Sequence, residues 1–483
     1  MSKPQDGRAR AVVEAVSPRV DGGRFPIKRT LGEAVRVEAD VFTDGHDALA
    51  AAVRYAAPDG AWREAPMTPL GNDRWIGEIT VDALGQWRYT VVAWLDHFET
   101  WRRDLGKRVA AAQDLDVPLG VGAVLVEQAA GRAGAQDAER LHRWSERLRG
   151  QLPAGTRAEL ALDPELRRLM ARHPERAHTT TYERILELTV DPRHARFSAW
   201  YEMFPRSCAP EPGRHGTFQD CAARLPYVAA MGFDVLYLPP IHPIGETFRK
   251  GPNNTLDPGP GDPGSPWAIG NADGGHTAVH PELGSFEDFR SLVAAARALD
   301  LRIALDIAFQ CAPDHPWVQE HPEWFVWRPD GTVQYAENPP KKYQDIYPLN
   351  FESEDWEALW DALRNVFLFW LGEGVTVFRV DNPHTKAFPF WEWVIREIKQ
   401  VEPEAVFLAE AFTRPKVMHR LAKAGFTQSY NYFPWRNTKW ELTTYLTELT
   451  RESGREYFRP NLWPNTPDIL PEYLQIGGRP AFA

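Results

Sequence analysis

Three carboxylates stand at or just beyond the points where apolar, strand-like runs break off. Asp381 closes V-T-V-F-R-V-D, Glu410 closes A-V-F-L-A-E, and Asp468 follows N-L-W-P-N-T-P. Runs that are apolar on both faces belong to a buried parallel sheet. An acid at the C-terminal end of such a strand points into the mouth of a barrel, where leaving water costs free energy that a partner or a reaction must offset. Any one of the three could equally cap a helix or sit in a buried ion pair. Three in register are much less expected by chance, and together they offer what nucleophilic and acid–base catalysis by carboxylates needs. Arg379 lies two residues before Asp381, on the same face of its strand. It supplies the counter-charge that an ionised nucleophile requires.

The elements that must position these groups alternate in type. After Asp191-Pro192, seven apolar runs, from S-A-W-Y-E-M-F to R-P-N-L-W-P-N, are separated by helical stretches. That order predicts a (β/α)8-type TIM barrel across residues 193–483. Its long loops, 241–286 and 310–351, follow the second and third strands, at the end where barrel enzymes place their sites. No eighth strand is legible before Ala483, so the barrel is expected to be truncated after the seventh, with its C-terminal part missing. Edges left open in this way predict a chain that aggregates and is inactive by itself. Upstream, residues 1–30 read as a flexible lead-in. Residues 31–101 alternate with period two, as in an Ig-like β-sandwich. Residues 102–178 shift to a helical period, with Asp163 placed as an N-cap. Residues 179–192 return to strand and linker. The helical insert is a candidate homodimer surface, or simply a solvated bundle.

Composition narrows the function class. With 43% hydrophobic and 25% charged residues, the chain is of globular type. A net charge of −11 disfavours a nucleic-acid partner, whose phosphates want a basic face. No apolar run reaches the roughly 18–20 residues of a membrane helix, and the polar start lacks a signal peptide's apolar stretch. Three cysteines, Cys208, Cys221 and Cys311, have no metal-like spacing and give no disulfide framework, which fits a reducing, cytoplasmic setting. The 19 tryptophans suit sugar-ring faces as well as a large core.

The F-R-V-D segment at 378–381, Glu410 and Asp468 together resemble the α-amylase superfamily, glycoside hydrolase family thirteen. The resemblance covers about residues 190–483. It implies Asp381 as nucleophile, Glu410 as general acid/base and Asp468 as the carboxylate that holds the sugar ring. Two departures are informative: Asp306 leads to Gln310-Cys311 where Asn-His is usual, and Asn465-Thr466-Pro467 replaces the His before the third carboxylate. These argue against a calcium-bound amylase. V-D-N-P-H-T-K, A-E-A-F-T-R-P and N-T-P-D-I-L, with the sandwich and helical insert ahead of the barrel, look like the α-glucan:maltose-1-phosphate maltosyltransferase branch. That branch implies transfer of a maltosyl unit from α-maltose 1-phosphate to an α-1,4-glucan, with no organic cofactor and no metal. By the same resemblance Lys250, Gln310, Asp345 and Asn382 contact the donor. Lys250, Asn338, Lys341 and Tyr343 then form a candidate phosphate site, with Ser265 a further candidate. A loop lysine taken alone is more often a solvated surface charge. An α-glucan hydrolase using the same residues and a non-catalytic glucan-binding fragment are the alternative readings.

Overall fold

Residues whose side chains alternate between interior and solvent build the first of two units. The computed structural model describes residues 7–466 and 468–482. Of the described residues, the first unit comprises 7–24, 32–82 and 86–188. One antiparallel sheet runs in the order Ala11–Ser17, Ala34–Thr43, Arg74–Thr80, Thr68–Gly71. A second contains Leu186–Asp191, Gly85–Leu95, Leu49–Ala56 and Arg63–Pro66 in that order. Gly77 of the first sheet faces Val53 of the second. A Cβ there would lie 2.7 Å from a valine methyl, so only glycine allows this approach. Five helices follow the last strand of the expected sandwich: His97–Ala110, Asp116–Ala130, Ala135–Arg149, Ala154–Ala161 and Pro164–Arg172. Trp101, Leu105, Leu119, Val126, Leu141, Leu148, Leu166 and Leu169 form their common core. Asp163 caps the last of them, accepting from the Glu165 backbone N–H at 2.6 Å.

Two boundaries differ from the sequence expectation. The helical segment begins at His97, five residues before the expected 102, because Asp96 accepts from the Glu99 N–H and caps it. The flexible lead-in also needs correcting, because Ala11–Ser17 pairs antiparallel with Ala34–Thr43 and buries Ala11, Val13 and Val16. Ile27–Thr30 is a further strand. Polar residues and prolines around these short runs mask them. Residues 1–6 of the lead-in lie outside the described residues.

Of the described residues, the second unit comprises 25–31, 83–85, 189–466 and 468–482. Its sheet has six parallel strands: β1 (Trp200–Glu202), β2 (Val235–Leu238), β3 (Arg302–Ile307), β4 (Val377–Val380), β5 (Val406–Ala409) and β6 (Gln428–Ser429). Their order in the sheet is their order in the chain. That is the winding of a barrel rather than of a sheet that reverses at a switch point. Helices Phe218–Ala230, Phe286–Arg297, Trp356–Gly372, Phe388–Val401 and Pro415–Ala424 connect the strands. Two of them start at capping boxes, Thr217/Asp220 and Ser285/Asp288. Lumen-facing Val235, Ala304, Val377 and Val406 form an apolar floor on which Trp200 packs.

Among the described residues, six strands stand where seven were expected. R-P-N-L-W-P-N makes only one parallel bridge, Pro460 beside Ser429, formed by Ser429 N–H to the Arg459 carbonyl and Asn461 N–H to the Ser429 carbonyl. Pro460 and Pro464 each remove a ladder donor, which keeps the segment from extending as a strand. Trp463 nevertheless packs beside Trp200 of β1 and against Tyr430, with ring centroids 5.4 and 5.2 Å away.

The long loops after β2 and β3 are fastened to each other. His276 Nδ1 and His315 Nε2 lie 3.1 Å apart, His276 Nε2 is 2.9 Å from the Ala308 carbonyl, and His315 Nδ1 accepts from Trp317 N–H at 3.0 Å. Gly270, at φ 106°, leaves room for the His315 ring, which a Cβ would meet at 2.2 Å. No helix among the described residues is long and apolar enough to cross a membrane.

A buried ion cluster ties the barrel's outer helices to its N-terminal segment. Asp191 is 1% exposed, accepts from Lys399 Nζ at 2.5 Å and from Arg459 Nη1, and lies in the field of buried Lys28. Burial disfavours the Asp191 carboxylate, but Lys399, Arg459 and Lys28 together hold it well below the usual carboxylate range. Lys28 itself donates to the Ala422 and Phe426 carbonyls. Asp191→Ala leaves two buried cations without their counter-charge and should cost about 3–5 kcal/mol in chemical denaturation. Because the folded-state pKa is depressed, the wild-type advantage is present above the ordinary carboxyl range and is lost as pH falls toward the folded value. An unchanged denaturation midpoint at neutral pH would remove the cluster from the stability account.

Candidate active site

Above the apolar floor, the next inward-facing layer is polar. In-register pairs place Glu202 beside Tyr237, Asp306 beside Arg379, and Arg379 beside Leu408. Asp381 and Glu410 follow β4 and β5 directly. Asp381 N–H donates to the Ile307 carbonyl at 2.9 Å, and Glu410 N–H to the Val380 carbonyl at 3.0 Å, so both are held as sheet continuations. Arg379, 4% exposed, is the hub. Its Nη1 donates to Asp306 Oδ2 at 2.9 Å and to Asp381 Oδ1 at 2.8 Å, while Nη2 lies 4.0 Å from Glu410 Oε1. Asp306 Oδ2 also accepts from Tyr237 Oη at 2.5 Å and Trp267 Nε1 at 3.2 Å.

Burial and mutual repulsion set the protonation of these acids. Burial pushes the Asp306 carboxyl up to about 7, against the pull of Arg379 and with a further push from Asp381. Burial also raises Glu410, where Arg379 and the Asn382 N–H pull down while Asp381 and Asp468 push up. Glu202 is raised to about 7, first by burial and then by Asp306 and Asp468, against Arg379. A carboxyl whose proton affinity is raised by burial, beside one hydrogen-bonded to a guanidinium, is the arrangement that acid–nucleophile chemistry uses.

Asn382 bridges the two strand ends. It sits in the left-handed region at φ 43°, ψ 49°. From there its backbone N–H donates to Glu410 Oε2 at 3.2 Å and its side-chain Nδ2 to Asp381 Oδ2 at 3.3 Å. Asparagine tolerates this conformation better than most residues.

The sequence-derived residues fall into three groups. Arg379, Asp381, Glu410 and Asn382 meet at the ends of β4 and β5. Asp468, exposed and C-terminal to the single bridge, lines the same cavity as Glu202, Tyr237, Trp267, Arg379, Glu410, Phe412, Tyr430 and Thr466. Gln310 joins this group through Trp267, to whose carbonyl its Nε2 donates at 3.2 Å. A second group forms where Lys250 Nζ donates to Gln344 Oε1 at 2.5 Å, near the buried Asp345. Lys250 is only 6% exposed, so a solvated loop lysine is the wrong description; the loop after β3 covers it. Ser265 accepts from Trp267 N–H at 3.3 Å. The third group is a hairpin, Ala336–Asn338 paired with Lys341–Tyr343, in which Asn338 and Lys341 are opposite each other and exposed. Tyr343 anchors the hairpin on Ala268, Ala312 and Ile346.

Sequence reasoning missed Glu202, Tyr237, Trp267 and Tyr430, and left Asp306 without a site role. The signal was available at Glu202 and Tyr237, whose strands place them two residues beyond lumen positions. Trp267 and Tyr430 reach the site by loop and strand-end geometry that no spacing encodes. His276, Cys311 and His315 also have ligand-type atoms close together. Both ring nitrogens of each histidine are engaged, however, so the group reads as a loop fastener.

The geometry at Asn382 makes a prediction. Asn382→Ala must hold a Cβ-bearing residue in the left-handed region, at a cost of about 1–2 kcal/mol, and loses the amide. Asn382→Gly loses only the amide. Activity should fall more in the alanine variant than in the glycine variant, and equal losses would mean that the backbone N–H to Glu410 is not what the turn preserves.

Residues 9–192 match the model for α-1,4-glucan:maltose-1-phosphate maltosyltransferase, domain N/S, and residues 200–443 match the α-amylase catalytic domain. The α-1,4-glucan:maltose-1-phosphate maltosyltransferase of Chlorobaculum tepidum is 59% identical over all of this chain and 72% of its own length. That of Rhodospirillum rubrum is 54% identical over 98% of this chain and 71% of its own length. Identity this high across both units leaves one conclusion: the chain belongs to the α-1,4-glucan:maltose-1-phosphate maltosyltransferase family.

Proposed function

We propose that the protein transfers a maltosyl unit from α-maltose 1-phosphate to the non-reducing 4-hydroxyl end of an α-1,4-glucan, with retention, through a covalent maltosyl-enzyme. The observation that carries the reading is the Asp381–Arg379–Glu410 arrangement at the ends of β4 and β5, bridged by Asn382. In the first half-reaction a carboxylate oxygen of Asp381 attacks the anomeric carbon. The bond from that carbon to the phosphate oxygen breaks, and Glu410 gives its proton to the departing phosphate. In the second, the Glu410 carboxylate takes the proton of the glucan 4-hydroxyl, whose oxygen attacks the same carbon and releases Asp381. Retention by this route calls for carboxyl groups roughly 5–5.5 Å apart, and one bridging asparagine between Asp381 and Glu410 supports such closeness. Asp468, which lines the same cavity, holds the sugar ring during the oxocarbenium-like transition state.

The two lysine groups divide the donor. Lys250 is buried beside Asp345, which offsets its charge and suits neutral sugar hydroxyls. Lys341, exposed opposite Asn338, keeps a free charge for the phosphate.

Phosphate release from α-maltose 1-phosphate in the presence of glucan acceptor tests the function. Asp381→Ala should abolish it, and a fluorinated maltosyl donor should label a peptide containing Asp381. A labelled peptide lacking Asp381 would reassign the nucleophile. Because burial raises Glu410, the acid form persists above the ordinary carboxyl range and activity should fall as pH rises through that raised value. Glu410→Gln should remove this limb.

Calorimetry separates the lysines. Lys341→Ala should weaken maltose 1-phosphate roughly tenfold, the worth of one charge-assisted hydrogen bond, and leave maltose unchanged. Lys250→Ala should weaken both alike. A loss confined to maltose 1-phosphate in Lys250→Ala would move the phosphate site to that lysine.

A further inference from the structure

Glu202 is the acid in this cavity that the transfer mechanism does not use. It ends β1 two residues beyond Trp200, and Trp200 packs on the apolar floor of the barrel. A period of two along the strand therefore aims Glu202 into the lumen as well. Its register partner is Tyr237, and it lines the same cavity as Arg379, Glu410 and Asp468. The other acids of this layer are engaged: Asp306 by Tyr237, Trp267 and Arg379, Asp381 by Arg379 and Asn382, Glu410 by the Asn382 N–H. Glu202 has no hydrogen-bond partner among the described residues.

Glu202 is half-buried, and its carboxyl oxygens carry no protein hydrogen bond, so they are open to a donor from a ligand that enters the cavity. The surroundings say which kind of ligand. Tyr237, Trp267, Phe412 and Tyr430 present aromatic rings around the same cavity. Rings beside an unbonded carboxyl suit a sugar, whose C–H faces meet the rings while its hydroxyls donate to the oxygen. A phosphate is disfavoured at this spot, since Glu202, Asp306 and Asp468 repel one another there already. We propose that Glu202 accepts a hydrogen bond from a hydroxyl of the donor sugar ring bound against Arg379, and thereby contributes to the choice of glycosyl unit. The contact rests on the reading of this cavity as a glycosyl-transfer site. It needs no particular charge state, because a carboxyl group retains an acceptor oxygen when protonated.

The test uses maltose and its monodeoxy analogues in titration calorimetry, with the wild-type protein, Glu202→Ala and Glu202→Gln. Glu202→Ala should bind maltose about 10- to 100-fold more weakly, the range expected for losing one hydrogen bond to a carboxyl group, and Glu202→Gln should recover most of the loss. One monodeoxy maltose should bind wild-type protein more weakly than maltose does, yet bind Glu202→Ala as well as maltose does. That coincidence identifies the hydroxyl, and a residue that merely supported Arg379 would not produce it. Full maltose affinity in Glu202→Ala, absence of maltose binding by wild type, or the same set of deoxygenation penalties in both proteins would overturn the contact. Phosphate release by wild-type protein from maltose 1-phosphate is measured separately, so its absence overturns the transfer reading while the deoxygenation series still decides Glu202.

Discussion

One guanidinium makes the polar layer of the curled parallel sheet possible. Arg379 is buried with Asp306 and Asp381 on one of its nitrogens and Glu410 near another. Removing that many acids from water without a cation would drive all of them to protonate. Burial lifts Asp306, Glu202 and Glu410, and the Arg379 charge pulls each of them back. The barrel floor of small and branched apolar residues beneath the layer keeps the local dielectric low, which strengthens every one of these interactions.

The rest of the site depends on keeping that layer covered and in place. Tyr237 and Trp267 donate to Asp306 from β2 and from the long loop after it, and Gln310 fixes Trp267 through its carbonyl. The loop itself is held by the His276–His315 contact to the loop after β3, with glycine at 270 giving the imidazole its space. Both histidines are kept neutral by burial, so the fastener does not add charge to a region already crowded with acids. Asn382 takes a left-handed backbone and thereby turns one N–H toward Glu410 and its amide toward Asp381. Strain of this kind persists where the surrounding structure fixes it, commonly at sites of chemistry.

Away from the site, stability rests on ordinary means. Each helix of the first unit contributes a stripe to one apolar core, and caps at Asp96 and Asp163 fix where two of them begin. In the second unit, Asp191 gathers Lys399 and Arg459 in a buried cluster that joins residues far apart in the chain. Such clusters are costly to break and gain little by being formed, so they serve registration more than net stability.

The sequence by itself determined what local periodicity can carry. Period-two runs and turn residues marked the two-sheet unit, the 3.6-residue period with Asp163 marked its helices, and apolar runs in series marked a barrel-type winding with Asp381 and Glu410 just past two of its strands. Its errors came where local signals compete: short strands at 11–17 and 27–30 lie between prolines and polar residues, and the seventh apolar run carries prolines that hold it to a single bridge. Only the tertiary structure decided which acids share a cation, that Lys250 is buried, that Glu202 and Tyr237 belong to the same layer as Asp306, and that Trp267 and Tyr430 wall it. Those facts depend on strand register and on loops closing over the sheet, and desolvation is set by everything that surrounds a group rather than by its neighbours in the chain.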